Sequence, residues 1–325
     1  MTIVAAFFMY QTEIGIDVLK AKQLLEKGEL VAIPTETVYG LAGNALDSHA
    51  VAKIYEAKNR PQFNPLILHV ANHEQLNKYV ANVPDDCRKL MEAFSPGPIT
   101  YLLDKNLHVP DVVTAGSKKV AIRIPNHLLT LQLLNSLRFP LAAPSANPSG
   151  YVSPVSAEHV LQGLQGRIPY ILNGGKANIG LESTIVGFNN GEVIVHRLGG
   201  ISIEQIEKVI GKPVKISITH DAPETPGQLK SHYATKKNFI VGDLESLKAA
   251  FADKKVGIIS FSTIQSEDTP HVVLSSKGDL AEAASKLFAA MREMDSHNVD
   301  LILAEWVPDQ GIGRAINDRL RRAIH

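Results

Sequence analysis

Short apolar runs, each closed by proline, glycine or a polar turn, limit what this chain can fold into. ELVAIP at 29–34 and PLILHV at 65–70 are two of them. The segments 99–103, 120–125, 140–143, 169–172, 183–188 and 193–197 follow the same pattern. Such runs read as strands, since a helix of a globular protein needs about ten residues or more. Helices are expected at 48–58, 73–80, 84–93, 126–137, 156–164 and 202–210, with Asp47 and Ser48 able to cap the first. Many short strands and few long helices argue against a simple doubly wound sheet. The expected class is α/β, a twisted and largely mixed sheet with helices on its faces.

Residues 211–236 change character. Pro213, Pro223, Pro226 and Gly227 interrupt any regular pattern, as linkers do. Beyond them, strands are expected at 238–242, 255–260, 271–274 and 299–304, and helices at 243–252, 278–295 and 312–323. That is a smaller α/β unit of βαβ type with parallel pairing. The expected division is 1–210, a linker at 211–236, and 237–325. The apolar start at 3–9 reads as a buried first strand. It is far shorter than the roughly 20 residues of a spanning helix and lacks a basic leader.

Charge narrows the partners. The 33 Lys and Arg balance 33 Asp and Glu, so no global field favours nucleic acid or an anionic membrane. The single cysteine, Cys87, excludes an internal disulfide framework and a multi-cysteine zinc site. It fits a reducing cytosol.

Two polar islands stand where apolar elements end. In the first, Lys58 extends the stripe of Val51, Ile54 and Tyr55 at helical spacing, and Arg60 follows before Pro61. The second is Ser145-Ala146-Asn147 after the strand at 140–143. Guanidinium and ammonium groups bind phosphate oxygens by charge-assisted hydrogen bonds, so the set suits a polyanion if both islands share a cleft. Otherwise Lys58 is a helix-end lysine and the rest are loop residues. The strand at 120–125 puts Lys119 and Arg123 on one face, roughly 13 Å apart, either meeting a long substrate or facing solvent. His69 interrupts an apolar strand and alone is more often structural. The PTETVYG loop with Thr37 and the GLEST turn with Ser183 each fit a tight polar-ligand loop or a capped turn. No P-loop, GxGxxG fingerprint, GxSxG elbow or metal-ligand spacing is present.

The ordered series PTETVYGLAGNA, KNRPQFNPL, FSPGPIT, VAIRIP, PSANPSG, GLESTIV and HRLGG closely resembles the YrdC-like threonylcarbamoyl-AMP synthases over about residues 15–210. The linker TPGQLKSHYA and the tail GIGRAINDRLRR resemble the longer, two-domain branch, whose second domain is Rossmann-like. The resemblance implies synthesis of threonylcarbamoyl-adenylate from L-threonine, bicarbonate or CO2, and ATP, with release of pyrophosphate. The product serves the N6-threonylcarbamoyl modification of adenosine 37 in tRNAs that read ANN codons. It further implies ATP contacts at Lys58, Arg60, Asn64, Lys119, Ser145, Asn147, Ser153, Arg197 and Tyr233. Threonine contacts are implied at Thr37, His69, Arg123, Ala143 and Ser183. Mg²⁺ is expected with the nucleotide, and no protein metal site or general base is assigned. A cytoplasmic enzyme feeding a downstream threonylcarbamoyl transferase complex follows, with weak tRNA binding and no membrane partner.

Two departures from the family pattern are visible. Lys119 stands where a small hydroxyl residue is usual, and Thr235 where the linker usually has proline. Without proline's fixed φ, a looser segment after Tyr233 is expected. The related hydrogenase-maturation carbamoyltransferases carry cysteine-rich zinc fingers, which a lone Cys87 cannot supply.

Overall fold

The apolar runs become the inner strands of one large sheet in the computed structural model, which describes residues 10–61, 63–217, 233–264 and 269–324. The expected strand at 3–9 and linker residues 218–232 lie outside the described residues. The first half contains β1 (Glu13–Gly15), α1 (Val18–Glu26), β2 (Val31–Ile33), β3 (Gly40–Asn44), α2 (Ser48–Lys58), β4 (Ile67–His69), α3 (His73–Asn77), α4 (Asp85–Phe94) and β5 (Ile99–Asp104). Then come α5 (Asp111–Thr114), β6 (Lys119–Arg123), α6 (Leu128–Ser136), β7 (Leu141–Ala142), α7 (Ala157–Leu164), β8 (Tyr170–Leu172), β9 (Thr184–Asn189), β10 (Glu192–Arg197), α8 (Ile203–Ile210) and β11 (Lys215–Ile216). The last part contains β12 (Asn238–Val241), α9 (Leu244–Ala250), β13 (Val256–Ser260), β14 (His271–Val273), α10 (Leu280–Ser296), β15 (Leu301–Ala304) and α11 (Gly313–Ala323).

Strands β1 to β11 form one 11-stranded sheet in the order β1-β8-β2-β3-β7-β4-β6-β5-β9-β10-β11. Pairing is mixed, as expected: β4–β6 and β5–β9 are parallel, while β3–β7, β4–β7 and β9–β10 are antiparallel. β11 adds an edge strand, so part of the expected linker belongs to the sheet. The second sheet, β12-β15-β13-β14, is parallel throughout, which matches the βαβ reading. Local chemistry sets the ends. The Asp47 carboxylate caps α2, and a Ser202–Gln205 capping box starts α8. No helix among the described residues is long and apolar enough to cross a membrane.

The two sheets share a core. Val38, Val152 and Leu181 of the first part pack with Leu287, Phe288 and Met291 of α10. Polar contacts lock the same seam. Arg292 on α10 donates to the carbonyls of Val152 (2.5 Å) and His159 (3.3 Å), and its guanidinium lies over the Tyr151 ring. Tyr151 donates to Asp295 Oδ2 at 2.7 Å, while Asp295 Oδ1 accepts from the amides of Lys236 and Lys237. Gly180 meets α10 backbone to backbone. A Cβ there would lie 2.6 Å from the Ala284 carbonyl oxygen and from Ser285 Cα, at a φ of +73°.

Gly180→Ala should therefore cost about 2–4 kcal/mol, combining left-handed backbone strain with overpacking. Gly191→Ala, at φ +77° with nothing within 4 Å, should lose only the strain, about 1 kcal/mol. Urea unfolding followed by circular dichroism checks the pair, and equal losses would show that the seam yields.

Candidate functional site

Sheet register brings the site together. His69 and Arg123 end neighbouring parallel strands and are paired in register, and His69 also faces Leu141 across β4–β7. Ala143 follows β7, and its amide donates to the Ile67 carbonyl at 3.0 Å. A bridge between Gly40 and Ser145 brings the second polar island beside the loop that holds Thr37. In that loop the Thr35 hydroxyl accepts from the amides of Thr37 and Val38 and donates to the Val38 carbonyl, so the turn is fixed internally. Ser183 and Arg197 come from the start of β9 and the end of β10. Asn59 closes α2 in the left-handed region (φ 50°) and turns the chain so that Arg60 enters the same space. The resulting cleft is partly open to solvent, and Arg60 and Ser145 of the two polar islands both line it.

The cleft is cationic, and its cations are buried. Arg60 donates from Nε to the Asn64 carbonyl (3.2 Å) and from Nη2 to the Pro65 carbonyl (2.9 Å). Arg197 donates from Nε and Nη2 to the Ser183 carbonyl (3.0 and 2.9 Å) and from Nη2 to the Ser183 hydroxyl (3.0 Å). Burial pulls both guanidinium groups down to about 10, which leaves them charged at neutral pH. Arg123 donates to the Gly97 carbonyl (3.2 Å) and the Thr37 hydroxyl (2.9 Å). Its Nη2 lies 2.7 Å from Glu36 Oε1, an ion pair at angles outside hydrogen-bond geometry.

His69 is the neutral member. Burial first, and then the Arg123 charge, pushes its pKa down to about 3. Its Nδ1 lies 3.2 Å from the Ile67 carbonyl, which can only accept, so Nδ1 carries the proton and Nε2 keeps its lone pair. Tyr233 is fully buried at a φ of 68°, a costly backbone for an aromatic residue. The second unit holds it there: Phe288 stacks on its ring at 5.2 Å, and Arg319 and Arg322 lie against the ring at 5.4 and 5.3 Å. Hydrogen bonds tie the backbone after Tyr233 at two points. Ala234 donates to the Gly150 carbonyl (2.8 Å), and the buried Thr235 hydroxyl donates to the Lys237 carbonyl (2.6 Å).

Of the expected residues, Thr37, His69, Arg123, Ala143 and Ser183 all line this cleft, and so do Arg60, Ser145, Arg197 and Tyr233. Five do not. Lys58 is buried and donates to the carbonyls of Ser145 and Asn147, each at 2.5 Å, so it ties one polar island to the other. Burial, then Arg60, lowers its pKa well below that of an ordinary lysine. Asn147 donates to the carbonyls of Pro148 and Tyr151 at 2.8 Å. Ser153 donates to Glu182 Oε1 at 2.7 Å, behind the wall. Asn64 is buried beside Arg60, and its side-chain amide makes no hydrogen bond within the protein. Lys119 begins β6 opposite Asp104, partly exposed. Glu182, which lines the cleft, and Glu36, which pairs with the cleft's Arg123, went unassigned from sequence, because their arginine partners lie far along the chain. Among the described residues, no three His, Cys, Asp or Glu side chains gather as a metal site.

Strand ends that converge on buried arginines, a neutral histidine and small hydroxyl side chains define an α/β protein with a cationic cleft. Residues 23–199 match the Sua5, YciO and YrdC family, described as "Telomere recombination", and residues 201–324 match "Threonylcarbamoyl-AMP synthase, C-terminal domain". The chain belongs to this family. It is 41% identical over 319 residues to threonylcarbamoyl-AMP synthase of Pyrococcus abyssi, covering 93% of this chain and 92% of the relative. The Bacillus subtilis threonylcarbamoyl-AMP synthase is 40% identical over 323 residues, covering 94% and 92%. The crystal structure of P. abyssi Sua5 complexed with L-threonine superposes with a TM-score of 0.89 at 40% identity, covering 96% of each chain.

The neutral His69 has a consequence for stability. From its ordinary value of 6.5 down to about 3, the unfolded chain binds a proton that the folded chain refuses. Its contribution is thus complete above pH 6.5 and is lost as the pH falls toward 3. His69→Gln should lose about 2–3 kcal/mol less than wild type between pH 6.5 and 4.5, at about 1.4 kcal/mol per pH unit. Unfolding curves across that range test this; equally steep acid limbs would remove His69 from the account.

Proposed function

We propose that the chain is a nucleotidyltransferase that makes threonylcarbamoyl-adenylate from L-threonine, bicarbonate or CO2, and ATP, releasing pyrophosphate. The observation that carries this reading is the single cleft where the Arg123, Thr37 and His69 cluster meets Arg60, Ser145 and Arg197. The threonylcarbamoyl-AMP synthase relatives and the threonine complex of Sua5 support it. The threonine carboxylate is read as meeting Arg123, whose guanidinium Gly97, Thr37 and Glu36 already orient, through a charge-assisted hydrogen bond. Neutral His69 adds no positive charge beside the substrate amine, and its Nε2 lone pair accepts a hydrogen from it. The amine lone pair attacks CO2 and loses a proton to give the carbamate. A carbamate oxygen then attacks the α-phosphorus, the bond to the β-phosphate oxygen breaks, and pyrophosphate leaves.

Such a transfer needs positioning and charge neutralisation more than a protein nucleophile. Arg60 and Arg197 supply fixed positive charge for the phosphates. Ser145 presents its hydroxyl on a loop that Lys58 anchors. Asn64 and Asn147 do not line the cleft; their carbonyls hold Arg60 and Lys58 in place. Glu36 and Glu182 each face an arginine. Mg²⁺ is therefore read as part of the substrate, carried on the triphosphate. In this reading residues 1–210 are catalytic, 211–236 close over the nucleotide through Tyr233, and 237–325 anchor that segment. A cytoplasmic site of action and a downstream transferase that passes the threonylcarbamoyl group to tRNA complete the proposal.

Pyrophosphate release should require ATP, bicarbonate and L-threonine together. Release at the same rate without threonine would sink the assignment. Arg60→Ala should weaken ATP binding at least about tenfold while the fold is kept, since a charge-assisted phosphate contact is worth about 1.5–3 kcal/mol. Calorimetric titration with ATP measures it, and unchanged binding would return Arg60 to the role of a loop residue.

A further inference from the structure

Glu182 is an anomaly in this cleft. Its carboxylate lines the wall of a space otherwise suited to a polyanion, and it is nearly buried at 6% exposure. A charge of the ligand's own sign in that position opposes binding unless something neutralises it. The neutralising group comes from the other end of the chain. Arg319, on α11 and wholly buried, places Nε 3.2 Å and Nη2 3.1 Å from Glu182 Oε2. Its remaining nitrogen, Nη1, donates to Asp318 Oδ2 at 2.8 Å, which fixes the guanidinium plane.

Three further contacts place this pair at the nucleotide end. Glu182 Oε1 accepts from the Ser153 hydroxyl at 2.7 Å. The next residue, Ser183, holds Arg197 through its carbonyl and hydroxyl, so the position of Glu182 governs the footing of Arg197. The Arg319 guanidinium also lies 5.4 Å from the centre of the Tyr233 ring. One side chain of the second unit thus touches both the wall and the residue that covers it.

We propose that Arg319 is a positioning residue for ATP: it offsets the charge of Glu182 in the wall that Arg197 shares, and it holds Tyr233 against that wall. The inference rests on the adenylate-synthesis reading for the identity of the nucleotide. Without Arg319, the Glu182 carboxylate loses a buried cation, and Arg197, which already feels its charge, is a cationic neighbour on the cleft side. An inter-unit strut alone would behave differently. Its loss would lower stability, and neutralising Glu182 would not restore nucleotide binding.

The test uses the full chain as wild type, Arg319→Met, Arg319→Lys, Glu182→Gln and the Glu182→Gln/Arg319→Met double variant. ATP dissociation constants come from calorimetry, KM for ATP and threonine from pyrophosphate release, and folding from thermal melts. Arg319→Met should weaken ATP binding about tenfold or more, leaving the threonine KM within about twofold, because a buried charge loses its partner. Arg319→Lys should fall between and carries the comparison if the methionine variant does not fold. The double variant should recover most of the ATP affinity, even with its melting temperature still lowered. ATP binding within about twofold of wild type in both Arg319 variants, or losses that multiply in the double variant, would overturn the proposal. A wild-type chain that binds ATP but releases no pyrophosphate would instead overturn the adenylate reading, and the binding comparison would still stand.

Discussion

Guanidinium groups held by main-chain carbonyls organise this cleft. Arg60 rests on the carbonyls of Asn64 and Pro65 and Arg197 on that of Ser183, whereas Arg123, on that of Gly97, also meets the Glu36 carboxylate. A carbonyl carries only a partial charge, so it orients a guanidinium without cancelling it. A carboxylate in the same place would orient it equally well and would remove most of the field a polyanion meets. Burial opposes the arrangement, and it brings Arg60 and Arg197 down to about 10 without neutralising them at neutral pH. The rest of the fold has to bear that cost, because the charges are set before any ligand arrives. Fixed charge aimed in advance avoids reorganisation at the moment of reaction, which is where most electrostatic catalysis is gained.

Each carbonyl belongs to a strand end or a helix exit, so the sheet determines the site. β4, β6 and β7 lie side by side, and their register aligns His69 with Arg123 and with Leu141, two residues before Ala143. The order of strands in space differs from their order in sequence, which is how residues 58–60 and 145–147 meet. Lys58 completes that meeting with two hydrogen bonds across the gap. The second unit supplies what the sheet does not. Through Phe288, Arg319 and Arg322 it surrounds Tyr233 and holds it at a positive φ that an isolated segment would leave.

Much of this was legible in the sequence, for physical reasons that also explain the gaps. Apolar runs bounded by turns identified most of the strands, since burial on both faces requires that composition. β3 escaped because GLAGN has little intrinsic strand preference; its neighbours β2 and β7 impose the strand. α1 escaped although Asp17 caps it and Ala21 and Leu25 bury one face. The ordered motifs identified the residues of the cleft but not their partners. Lys58 lies on the apolar stripe that its spacing implies, and that same burial turns its amine to backbone carbonyls, off the cleft wall. Thr235 lacks the fixed φ of proline, and its hydroxyl donates instead to the Lys237 carbonyl, a contact that local sequence does not announce. Nothing in local spacing joins Glu182 to Arg319, because their pairing exists only once both sheets have packed.

That late pairing bears on the balance of charge. The chain as a whole is neutral, with 33 cationic and 33 anionic side chains, and this argued against any strong general attraction for anions. The cleft reconciles neutrality with anion binding through geometry. Glu182 in its wall and Glu36 beside Arg123 are each matched to a buried arginine, one from the last helix and one from the sheet. Arg60 rests on carbonyls, and Arg197 rests on that of Ser183 while it also feels the Glu182 charge. Net charge is a sum over the whole surface and falls off with screening, whereas a ligand in a narrow cleft responds to the nearest few groups in a low dielectric. A neutral protein can therefore present a strongly positive site, provided that every acidic group in its wall is held by a cation of its own.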